Sequence, residues 1–142
     1  NVMTIPGTDG EKMSKSRNNY INIFLDDKAL RKQVMAIVTD ATPLEAPKNP
    51  DTCNVVKIYS LLATAEQVEA MREKYLAGNY GYGHAKQELY ELILDKFKVE
   101  REKYNYYINN LEEVDKLLQI GAEKASNVAN NVLKRVREKL GY

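Results

Sequence analysis

From about residue 84 to residue 140 apolar residues recur at helical spacing, with one interruption near Asn110. No other feature constrains the fold as much, because a period of 3.6 commits a segment to lay one face against a partner. Leu89, Leu92, Ile93, Phe97, Tyr104 and Ile108 form one stripe and predict a helix over 84–109, roughly 40 Å long at about 1.5 Å per residue. Asn110 followed by Glu113 has the spacing of a capping box and opens a last helix to about residue 140. Its stripe is Leu111, Val114, Leu118, Gly121, Ala125, Val128, Val132, Val136 and Leu140. Small residues at Gly121, Ala122 and Ala125 would let another helix approach closely.

Shorter helices precede these. Asp26 or Asp27 can cap a helix carrying Leu30, Val34, Ile37 and Val38. Residues 39–51 hold three of the four prolines and exclude regular helix. A second helix begins near Thr52 or Cys53 and carries Val56, Tyr59, Leu62 and Ala63. Thr64 with Gln67 forms a capping box for a third, with Val68, Met71 and Tyr75 inward and Gly78 at its stop. Residues 78–83 read as a tight polar-aromatic turn. An all-α helical bundle, preceded by an irregular loop segment over 1–25, is the expected fold.

Composition narrows the function classes. A hydrophobic share of 44% with 29% charged residues is globular, and 142 residues suffice for one real core. The net charge of +1 leaves any nucleic-acid binding to local patches. No apolar run is long enough for a membrane span. The single cysteine, Cys53, and single histidine, His84, exclude an internal disulfide and two-histidine or multi-cysteine metal motifs, so no protein-held metal is expected. That cysteine usage fits a reducing, cytoplasmic compartment. His84 is expected to be an ordinary helix-entry residue. Glu112, Glu113 and Asp115 read as first-turn helix carboxylates, not an acid–base pair. Asn1 is no initiator and no leader peptide is recognisable; Val2, Met3 and Ile5 resemble the tail of a strand, which implies a natural chain continuing upstream.

Chemistry concentrates in "KMSKS", Lys12, Met13, Ser14, Lys15 and Ser16, on a loop flanked by Gly7 and Gly10. The spacing is not that of a P-loop. Two ammonium groups, two hydroxyls and the N–H groups of the loop can nevertheless meet a polyphosphate. They would stabilise charge that develops as pyrophosphate leaves, which is electrostatic catalysis. The glycines would let such a loop close and reopen. A solvated basic loop is the plainer alternative.

The helices offer a second chemistry. Tyr80, Tyr82, Tyr104, Tyr106 and Tyr107, among ten tyrosines, can stack on unpaired bases or can edge helix cores with their hydroxyls in water. Lys134, Arg135, Arg137 and Lys139 can grip phosphates or complement a helix dipole.

"GTDGEKMSKSRNNYI" (7–21) resembles the second signature of class I aminoacyl-tRNA synthetases. "AIVTDAT" (36–42), "PKNPDTCNVVKIYSLLA" (47–63), "YLAGNYGYGHAKQELYELI" (75–93) and "IGAEKASNVANNVLKRV" (120–136) resemble the C-terminal part of the tryptophanyl-tRNA synthetases. The related tyrosyl enzymes match less well, and a stand-alone helical RNA-binding module is the alternative from another class. The resemblance implies that residues 1–25 are a remnant of a nucleotide-binding catalytic domain and 26–142 an anticodon-binding helical domain. It implies ATP as substrate, with Mg2+ carried by the nucleotide, tryptophan, and tRNA for tryptophan as the RNA partner. Lys12 and Lys15 become the catalytic phosphate contacts, with Met13, Ser14 and Ser16 completing the ATP-phosphate loop. Tyr80, Tyr82, Lys134, Arg135 and Arg137 become the tRNA-binding candidates. The parent enzyme is expected to be a homodimer and this piece monomeric. No HIGH-like motif is present, so the piece is expected to be inactive alone, its loop disordered without the body it closes against.

Overall fold

A computed structural model describes residues 4–141. They form six helices: α1 (Asp27–Met35), α2 (Asn54–Tyr59), α3 (Ala65–Ala77), α4 (Tyr82–Lys96), α5 (Lys98–Asn109) and α6 (Leu111–Leu140). The described residues contain no strand, only an antiparallel bridge between Pro6 and Lys12. The all-α expectation holds. Val2 and Met3, read as a strand tail, lie outside the described residues. The chain divides into two compact units, Asn1–Arg101 and Glu102–Tyr142.

The first unit has the hydrophobic core. Leu30 and Val34 of α1, Val55, Val56 and Ile58 of α2, Met71 and Tyr75 of α3, and Ala85, Leu89 and Ile93 of α4 are buried together. α4 packs on both α1 and α2, and α2 also meets α3. The ends are capped as their residues allow. Asp26 accepts from the N–H of Ala29 at 2.9 Å, and Thr64 with Gln67 forms the reciprocal box. Gly78 closes α3 at φ 77°, and a Cβ there would sit 2.5 Å from the carbonyl oxygen of Glu45, so sterics and dihedral both require glycine.

The proline-rich connection is ordered by a buried cation. Lys48 is 3% exposed, and its ammonium donates to the carbonyls of Pro43 (2.8 Å), Leu44 (3.1 Å) and Ala46 (3.1 Å). These groups have no helical partners, and the ammonium satisfies them together.

Several helix boundaries depart from expectation. α1 stops at Met35; Ile37 is buried beyond it, and Val38 is exposed, its N–H donating to Thr8 at 2.7 Å. α2 stops at Tyr59, so Leu62 and Ala63 lie in the following turn. The helix expected over 84–109 breaks at Phe97, where φ is −106° and ψ 18°. Phe97 packs against the core. Four residues later the Arg101 guanidinium holds the carbonyls of Ile23 and Leu25 and the Asp27 carboxylate. The break satisfies both attachments within the first unit.

In the second unit Asn110 makes no capping box. Its side-chain N–H donates instead to Tyr106 O at 2.7 Å, while the Tyr106 hydroxyl takes the Glu113 carboxylate at 2.6 Å. The stripe of α6 exists, but none of it is buried: Leu118 is 65% and Val128 68% exposed. Tyr104 and Ile108, placed on a core stripe by their spacing, are exposed as well. No described helix is long and apolar enough to cross a membrane.

Leu89→Ala should lower the unfolding free energy by about 2–5 kcal/mol in urea titrations followed by helical circular dichroism. Leu118→Ala, at an exposed site, should change it by less than about 0.5 kcal/mol.

Candidate functional site

The segment carrying Lys12–Ser16 is built from two turns. The first runs from Gly7 to Glu11, closed by Gly7 N–H to Glu11 O at 2.7 Å and assisted by Gly10 at φ 87°. The second is closed by Asn18 N–H to Lys15 O at 3.1 Å, with Asn18 at φ 52°, a conformation asparagine tolerates better than most residues. Met13 N–H to Ile5 O at 2.8 Å holds the stretch between them.

Asn19, 3% exposed, lies between the turns. Its amide nitrogen donates to the Asp9 carboxylate at 2.7 Å and to Lys12 O at 3.1 Å. Its amide oxygen accepts from Ser14 N–H at 2.7 Å. The hydrogen bond from Asn19 holds the Asp9 carboxyl below its ordinary range, with Glu11 N–H acting the same way. Gly7 is obligatory beside this carboxamide, since a Cβ would stand 2.4 Å from the Asn19 amide nitrogen.

Two hydrogen bonds fasten the loop to the helices. Thr8 O accepts from Val38 N–H, just after α1, at 2.7 Å. Gly7 O accepts from the side-chain amide of Asn54, the first residue of α2, at 2.7 Å. The loop expected to be disordered on its own is therefore formed against the helical unit.

On this frame Lys12, Lys15 and Ser16 are exposed and Ser14 half-buried. The Ser14 and Ser16 hydroxyls lie 2.8 Å apart. Lys12 lines a cleft of about 510 Å³ with Glu11, Lys57, Asp51 and Arg72. Arg72 is committed to Asp51 at 2.7 Å. Met13 faces elsewhere, lining an apolar groove of about 490 Å³ with Ile5, Ile21, Ile23, Ile58 and Phe97. The arrangement offers cations, hydroxyls and N–H groups, which suits an anion.

The proposed RNA contacts fall in both units. Tyr80 and Tyr82 are half-buried in the first, their rings 5.6 and 6.0 Å from that of Tyr75. The Tyr82 hydroxyl donates to Asp40 at 2.6 Å. Burial, with Asp40 beside it, pushes the Tyr82 phenol up to about 12. The Tyr80 hydroxyl is buried without a hydrogen-bond partner; burial, with the Glu88 carboxylate close by, raises its pKa. His84 accepts from Gly81 N–H at 3.4 Å, at the entry to α4. Lys134, Arg135 and Arg137 are exposed on α6, with Lys134 3.9 Å from Glu138. Asn19, Asp9 and Asn54 escape a reading by motif, because their contacts span 10, 7, 5 and 47 residues and no local pattern encodes them.

A family model described as tRNA synthetases class I (W and Y) matches residues 2–98. The chain belongs to that family. It is 49% identical over 137 residues to a tryptophan–tRNA ligase of Fusobacterium nucleatum, a match covering 96% of this chain and 42% of that one. It is 41% identical over 140 residues to a tryptophan–tRNA ligase of Campylobacter jejuni, covering 99% and 44%. A crystal structure of the Campylobacter jejuni tryptophanyl-tRNA synthetase, complexed with ADP and tryptophan, superposes with a TM-score of 0.95 at 41% identity over 99% of this chain and 44% of that one. This chain therefore spans less than half the length of these relatives.

Two outcomes check this geometry. Gly7→Ala should cost the loop about 1–3 kcal/mol of local stability through overpacking, seen as faster amide exchange at Thr8 and Ser14 with the helical melt retained. The depressed Asp9 carboxyl stabilises the loop fully above the ordinary carboxyl value of about 3.9 and loses that contribution as pH falls through the lower folded value. The Ser14 and Glu11 amide resonances should therefore hold steady from neutrality to about pH 4 and shift together only below it.

Proposed function

We propose that this chain is the C-terminal part of a tryptophan–tRNA ligase. One observation carries the reading: Lys12–Ser16 stand on a formed, donor-rich loop in a chain whose near relatives bear that name over almost all of its length. The ADP and tryptophan in the Campylobacter jejuni structure give further support.

In the first step a carboxylate oxygen of tryptophan bonds to the α-phosphorus of ATP. The bond from that phosphorus to the bridging oxygen breaks, and its electron pair leaves with pyrophosphate. The chain's task is to receive the negative charge that grows on the departing phosphates. Lys15 is the principal contact and Lys12 the second; both ammonium groups are exposed and able to reach a ligand. Ser14 and Ser16 add hydroxyl donors, and Met13 packs its apolar side chain to support the loop. Mg2+ would ride on the nucleotide, because Lys12–Ser16 present donors and no carboxylate. In the second step a 3′-terminal hydroxyl of the tRNA takes the tryptophanyl group and AMP leaves.

Residues 1–25 serve with the nucleotide-binding domain and 26–142 with the anticodon. Tyr80, Tyr82, Lys134, Arg135 and Arg137 are the RNA contacts in this scheme, the last three as phosphate grips. The working protein is a cytoplasmic homodimer, and this piece by itself is a monomer without adenylation activity.

The test is ATP–pyrophosphate exchange in the full-length protein that bears this chain, with tryptophan or tyrosine supplied. Exchange should depend on tryptophan, and Lys15→Ala should lower kcat by about 10²–10³, the scale of one lost charge-stabilising donor. Exchange driven by tyrosine, or an unchanged rate in Lys15→Ala, would overturn the assignment.

A further inference from the structure

We propose that Asn19 is the positioning residue of the phosphate loop: its carboxamide sets Lys12 and Ser14 relative to one another, so that a polyphosphate meets a formed surface. The inference rests on the phosphate reading given above and extends it to a residue outside the Lys12–Ser16 pentapeptide.

The hydrogen-bond inventory carries the argument. An asparagine amide has two N–H donors and one oxygen acceptor. Both donors are used, on the Asp9 carboxylate at 2.7 Å and Lys12 O at 3.1 Å. The oxygen is used on Ser14 N–H at 2.7 Å. The backbone of the same residue closes the loop a further time, its carbonyl accepting from Thr8 N–H at 2.8 Å. One buried side chain thus joins the first turn, through Asp9, to the backbone on either side of Met13.

Asn19 takes no part in the hydrophobic core of the helices. What it orders is the stretch that carries the cations and hydroxyls. Gly7 leaves the space that the carboxamide fills, the Asn19 amide nitrogen standing 2.4 Å from where a Cβ would be. Aspartate has the same shape and the wrong chemistry: it lacks the donors, and it would set a second carboxylate 2.7 Å from that of Asp9. Exchanging the two residues restores a donor and an acceptor across that contact and leaves an oxygen for Ser14 N–H, while Lys12 O loses its donor.

The exchange supplies the test. The full-length protein that bears this chain, labelled with 15N, is titrated with inorganic pyrophosphate as the unsubstituted form, as Asn19→Asp, and as Asp9→Asn combined with Asn19→Asp. Helical melting is recorded for each. Asn19→Asp should weaken pyrophosphate binding at least tenfold, and the double exchange should recover part of that loss, since Lys12 O stays without its donor, with helical melting the same in all three. A residue that merely supported the fold would shift melting and affinity together. Equal affinity in Asn19→Asp, or no recovery in the double exchange, overturns the positioning role and leaves the phosphate reading intact. If pyrophosphate moves no resonance of Lys12–Ser16 in the unsubstituted full-length protein, the phosphate reading fails, and this inference fails with it.

Discussion

The first unit depends on the burial of one face of α4. Ala85, Leu89 and Ile93 lie against α1 and α2, and the remaining elements take their places from that packing. α1 ends where Ile37 can still be buried, which leaves the Val38 N–H free to reach Thr8. α2 begins where Asn54 can reach Gly7. The loop is thus attached to the two helices that α4 holds together. A core of aliphatic side chains fixes, at a distance, the backbone on which the lysines stand.

Polar groups do the fine positioning inside this frame. Lys48 gathers the carbonyls of the proline-rich connection. Arg101 holds the backbone of Ile23 and Leu25 together with Asp27. Tyr75 is fully buried, its hydroxyl 3.4 Å from the Cys53 sulfur, and burial raises its phenol well above the ordinary range. Asn19 follows the same pattern in the loop. Each of these groups would be costly to bury alone, and each is tied to main-chain or side-chain partners that fold with it.

What the sequence made legible was the local part. Asp26, Thr64 with Gln67, and Gly78 marked helix ends, because caps act over one turn and are written within one turn. The Lys12–Ser16 motif was equally plain. The errors came where a contact outside the local pattern decided. Asn110 and Glu113 have the spacing of a capping box, but the Tyr106 hydroxyl and carbonyl took both side chains. The stripe over 84–109 continued across Phe97, where attachments to the core and through Arg101 outweighed the periodicity. The apolar stripe of α6 is a true helical face, yet none of it is buried. Periodicity identifies an apolar face and does not supply its partner.

A crystal structure of the full-length protein with ATP bound would test the central claim most directly. The account predicts the Lys15 ammonium within about 2.7–3.2 Å of a phosphate oxygen, with Asn19 still bonded to Lys12 O and Ser14 N–H. Phosphates held by other residues, with the Lys12–Ser16 loop turned away from them, would contradict it.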